Sequence, residues 1–92
     1  MLKMEIKFDE KKVNRENKYK YKDIYNVTNN LFYGMDLYCE NKNGYIIYSG
    51  NKEEDFNKAI KYLKNKEWFY ENVIVWKLYK DKEIKNLKII NL

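Results

Sequence analysis

The 92-residue chain has no histidine and no proline, a single cysteine, a single arginine and only three glycines. With Ser49 and Thr28 as its only aliphatic hydroxyls, neither a Ser-His nor a Cys-His relay can be assembled. Cys39, the lone cysteine, forms no intramolecular disulfide and no thiolate metal cluster within one chain, and strand parity reads it as an inert inward-facing thiol in a reducing compartment. Gly34, Gly44 and Gly50 are isolated, so neither a phosphate-cradling loop nor a dinucleotide fingerprint exists and no cofactor is implied. Glu53, Glu54 and Asp55 are the only dense acidic set, and helix capping accounts for them better than metal binding does. The expectation is a protein that is not an enzyme. A small metal-independent ribonuclease working with Lys, Tyr and Arg15 is the catalytic alternative, and it rests on one guanidinium.

Long apolar runs are also missing, so nothing approaches a bilayer span, and residues 1–8 alternate apolar with charged side chains instead of forming a secretory leader. A cytoplasmic protein with no membrane partner is expected. In that setting the triplet Asn26-Val27-Thr28 reads as a chance glycosylation match.

What is present fills one domain, residues 1–92, whose 17% aromatic content can build a core with few aliphatic side chains. The net charge of +5 invites a nucleic-acid reading. Yet Lys, Asn, Tyr and Ile, the residues of AT-rich codons, make up 50 of the 92 positions, so coding bias competes as the cause of the charge. The excess is spread evenly over the two halves, and there is no basic tail.

Residues 51–66, NKEEDFNKAIKYLKNK, carry the clearest element. Phe56, Ala59, Ile60 and Leu63 recur at i, i+3, i+4 and i+7, one face of a helix. Asn51 reads as its N-cap, with acids at the first turn and Lys61, Lys64 and Lys66 at the last. Residues 1–8 alternate as a half-buried strand, with Leu2, Met4, Ile6 and Phe8 inward. Residues 9–17 have Val13 as their only apolar side chain and are expected as a solvated loop or a short frayed helix.

Residues 18–27 fit both a strand and a helical stripe through Tyr21, Ile24, Tyr25 and Thr28, and the Tyr and Val content favours strand. Asn29-Asn30 then reads as a turn, and Leu31, Tyr33, Met35, Leu37 and Cys39 as one strand face. Asn43-Gly44 predicts a type I′ hairpin between residues 37–42 and 45–49. Residues 73–79, VIVWKLY, suit an interior strand with Val73 and Val75 on one face and Ile74, Trp76 and Leu78 on the other. Asp81 and Lys82 turn the chain into a last strand over residues 84–90. The fold class is therefore α+β, a mainly antiparallel sheet of five or six strands in the order ββββαββ with one amphipathic helix on a face.

Two stretches are candidates for binding. Lys18, Tyr19, Lys20, Tyr21 and Lys22 combine phosphate-neutralising lysines with stacking rings, although strand alternation would point the two sets apart. Trp68, Phe69 and Tyr70 are consecutive, so they cannot all face one core, and they are the candidate contact for a protein partner. The first functional reading is a small non-catalytic protein-binding module. Its size and AT bias suit a phage or mobile-element accessory protein or inhibitor that occupies the surface of a host or cognate protein. The alternative is a single-stranded RNA- or DNA-binding protein without sequence specificity, because one arginine among eighteen lysines leaves little for bidentate base readout.

Overall fold

The alternation of the first eight residues decides the architecture. In the computed structural model, which describes residues 1–35 and 37–88, β1 (Leu2–Phe8) buries its apolar side chains and leaves Lys3, Glu5 and Lys7 partly exposed. After it come α1 (Glu10–Glu16), α2 (Tyr21–Phe32), β2 (Tyr38–Lys42), β3 (Tyr45–Gly50), α3 (Glu53–Lys64), α4 (Glu67–Asn72), β4 (Val73–Lys80) and β5 (Glu83–Asn86). The strands pair antiparallel in the order β2-β3-β1-β4-β5, with β1 at the centre. This is the split β-α-β arrangement, each crossover carried by two helices and a fifth strand added at one edge. The α+β class and the five antiparallel strands match expectation. The element order and the single helix do not, since four helices lie among the described residues.

The largest correction is in residues 18–27. They form a short loop and the start of α2, the Asn29-Asn30 pair lies inside that helix, and of the expected strand face over residues 31–39 only Cys39 is in β2. Ile24, Thr28 and Phe32, at i, i+4 and i+8, are all buried, so the helical stripe runs the whole length of α2 while the strand parity breaks at Ile24. One local and one long-range bond remove the usual objections to these residues in a helix. Thr28 donates its hydroxyl proton to the Ile24 carbonyl (2.9 Å), and the Asn29 side-chain oxygen accepts from the Tyr48 hydroxyl (3.1 Å).

The organising helix appears as α3, with Phe56, Ala59 and Leu63 buried and Ile60 only partly so. Its N-cap is Lys52, without a side-chain hydrogen bond, and not Asn51. The acids of its first turn remain in place, and Glu53 also meets Lys80 of β4 at 2.8 Å. The solvated segment 9–17 is largely α1, and its one apolar residue suffices, because Val13 is buried and Asp9 caps the helix by accepting from the Lys12 amide at 3.1 Å.

The Asn43-Gly44 hairpin forms as expected, both residues at positive φ and Lys42 opposite Tyr45. In β4 the expected faces change. Phe8 pairs with Val73 and Lys7 with Val75, so Ile74 is the extra residue of a bulge and points to solvent, 49% exposed. The bulge switches parity once, and Val73, Trp76 and Leu78 therefore all enter the core. The last strand ends at Asn86, and the part of the expected strand at residues 89–90 lies outside the described residues.

The helices and the buried sides of the strands form one core in which aromatic rings mediate between layers. Phe32 stacks on Tyr48 (3.8 Å between centroids, 17° between planes), and Phe69 meets Phe8 and Trp76 edge-on at 5.6 and 4.9 Å. All four helices send their buried side chains to this one side of the sheet.

Candidate functional site

The two stretches singled out in the sequence are used largely for packing. Tyr19 and Tyr21 lie against the core, Tyr21 edge-on to Phe8 at 6.4 Å. Lys18 is 3.6 Å from the Glu71 carboxylate, which with Tyr19 raises its pKa, and its ammonium sits 5.4 Å from the Tyr19 ring. Lys20 and Lys22 are exposed. Within the run only Lys18 and Tyr19 are brought together as a cation and a ring. Of the aromatic trio, Phe69 is fully buried, Trp68 is partly buried against the core, and Tyr70 carries Lys88 over its ring at 5.7 Å.

Cys39 differs in part from expectation. Opposite buried Tyr48 it faces the helix side as expected, but on the edge strand β2 it is exposed and not part of the core. Its thiol is turned towards the Asn29 side-chain oxygen at 3.8 Å, and partial burial pushes its pKa up. Among the described residues no group of three or more Cys, Asp or Glu side chains gathers where a metal ion could be held. No helix among them is long and apolar enough to cross a membrane.

What the structure does assemble is the other side of the sheet. Because side chains opposite one another in an antiparallel pair share a face, register places three rows across it. One row runs Tyr38, Ser49, Lys3, Tyr79 and Ile84. The middle row is Glu40, Ile47, Glu5, Lys77 and Asn86. The third is Lys42, Tyr45, Lys7 and Val75. None of these residues is buried, and Tyr38 is 69% exposed. The face is open among the described residues.

Charge and rings are interleaved on it. The Lys3 ammonium lies 4.7 Å from the Tyr79 ring centroid, and the Lys7 ammonium 4.7 Å from that of Tyr45. The Tyr79 hydroxyl reaches the Glu5 carboxylate at 3.5 Å, and burial, with that carboxylate second, holds the phenol above its ordinary pKa. Glu5 pairs in register with Lys77, which offsets both charges locally. Lys3 and Lys7 remain as cations over aromatic rings, and Lys42 stands opposite Tyr45 in register.

The signal for this face was present in the sequence as the charged half of the β1 alternation. Its neighbours could not be read locally, since Tyr45 and Tyr79 come from hairpins far along the chain. No protein-family model matches this chain, and no curated protein or solved structure matches it either.

Proposed function

We propose that this chain is a non-catalytic binding domain that works by occupying another macromolecule with the open face of its sheet. The observation that supports this is the one-sided construction. Four helices pack on one side of the five strands, while the other side presents tyrosines and lysines that no core contact requires. A residue inventory without histidine, and a Cys39 thiol with its pKa pushed up, give nucleophilic chemistry little to work with. A phage or mobile-element accessory protein or inhibitor acting on a host component is the setting that size and composition suit.

The test is affinity capture from the native cell with the parent chain and with a variant carrying Lys7→Gln, Tyr45→Ala and Tyr79→Ala. The expected result is a partner retained by the parent and lost by the variant, with equal thermal stability of the two proteins. Retention of every partner by the folded variant would remove the open face as the working surface.

A further inference from the structure

We infer that the ligand of the open face is unpaired nucleic acid, with Tyr45 and Tyr79 as stacking platforms for bases and Lys3, Lys7 and Lys42 as phosphate contacts. This rests on the open face being the working surface. Each platform has an ammonium held over its ring at 4.7 Å, so the group that would neutralise a phosphate stands beside the group that would stack a base.

The side-chain types separate this ligand from a protein. Protein interfaces are depleted in lysine at their cores, whereas this face has lysines in all three rows. Lysine is a point charge suited to a backbone phosphate, and the tyrosine ring accepts the π-face of any base. Because base faces are hidden in a duplex, the ligand must be single-stranded. The absence of a guanidinium on the face also removes the commonest bidentate base contact, so little sequence preference is expected.

Placement sets the path. Tyr45 and Tyr79 stand on the two strands flanking β1, opposite Lys7 and Lys3. Four residues of strand rise and two strand spacings separate them, about 13 Å along β1 and about 10 Å across it. The two platforms therefore take bases that are not adjacent, and the strand crosses the sheet diagonally. Glu5 lies between them beside Lys77, and its carboxylate disfavours phosphate there relative to Lys3 and Lys7 on either side.

The experiment is fluorescence anisotropy with labelled oligo-dT and oligo-U of about twelve nucleotides, a length within the usual site size of such surfaces, and with a duplex of equal length. Single strands should bind in the micromolar range with a log-log salt slope near −2, from three phosphates at about 0.7 each. Tyr45→Ala and Tyr79→Ala should each weaken binding roughly five- to hundredfold, with the Phe variants at either position restoring it. Replacing Lys3, Lys7 and Lys42 with Gln should remove about two units of slope, whereas the same change at Lys18, Lys20 and Lys22 should leave the slope in place. Circular dichroism and melting curves check that each variant is folded. Absence of binding at low salt, or equal binding by the Tyr→Ala variants, overturns the inference. A partner that resists nuclease during capture and is lost from the face variant, with no oligonucleotide bound, would sink the nucleic-acid ligand and leave the binding-domain reading standing.

Discussion

Tyr48 joins two elements through one side chain. Its ring stacks on Phe32 of α2, its hydroxyl donates to Asn29 of the same helix, and its backbone belongs to β3. Burial pushes its pKa well above the ordinary tyrosine value of 10.0. A phenol that stays protonated when folded and ionises when unfolded contributes stability that is complete below the unfolded value and is lost as pH rises through the folded one. Urea midpoints should therefore fall from about pH 10 upward, by as much as about 1.4 kcal/mol per pH unit for this group. Tyr48→Phe should cost about 1 kcal/mol at neutral pH through the lost hydrogen bond and should flatten the alkaline fall. An unchanged alkaline slope in the Phe variant would assign the effect to other tyrosines. The caps give a second contrast. Asp9→Ala should cost about 1 kcal/mol because its carboxylate accepts from the Lys12 amide, whereas Asn51→Ala should cost less than about 0.5 kcal/mol because Asn51 precedes the cap position. Denaturant curves of the two variants compare them directly.

Among elements, α3, β1 and the Asn43-Gly44 hairpin were legible in the sequence because each is specified by spacing within itself. Four apolar residues on one helical face, strict alternation, and a dipeptide that tolerates positive φ need no distant partner. Even so, within α3 the stripe is unequal. Leu63→Ala should cost about 2 to 5 kcal/mol, since Leu63 is fully buried, and Ile60→Ala markedly less, since Ile60 is only partly covered. Equal losses in urea unfolding would mean that the helix is rotated from its described position. Gly44→Ala should cost about 1 kcal/mol through backbone strain at φ +84, because an added methyl group would meet only the Lys7 side chain, at an ordinary 3.7 Å. Where the sequence misled was α2, whose tyrosines and asparagines favour strand and turn by propensity. Burial of Ile24, Thr28 and Phe32, and the bond from Tyr48 to Asn29, overrode those preferences, and both depend on contacts made across the core. The bulge at Ile74 is likewise invisible locally, because it exists only in the pairing of β4 with β1.

For the molecule as a whole, the described residues build one core of aliphatic and aromatic side chains, and no staple is expected to add to it. Chelator and reductant should each leave the thermal midpoint unchanged, and a marked drop with either would show a staple outside the contacts described. The candidate surface was the least legible feature because it is a property of strand order. Lys3 and Lys7 acquire meaning only when Tyr79 and Tyr45 arrive beside them, and nothing in residues 1–8 announces those neighbours. Residues 18–22 and 68–70 are dense local runs and so stand out in the sequence, and Tyr19, Tyr21, Trp68 and Phe69 also pack on the core.

Strand order has another consequence. The central strand β1 precedes both of its neighbours in the chain, with β3 pairing to it from residues 45–50 and β4 from residues 73–80. On the ribosome, Leu2, Met4, Ile6 and Phe8 thus leave the exit tunnel well before β3 and β4 can cover them, and the sheet is completed only when β4 and β5 have emerged. Non-local pairing of this kind folds slowly and exposes apolar surface meanwhile, so the nascent chain is a natural client for a holding chaperone. Translation stalled before β4 emerges should yield a protease-sensitive chain, and stalling on a long linker after residue 88 a resistant one.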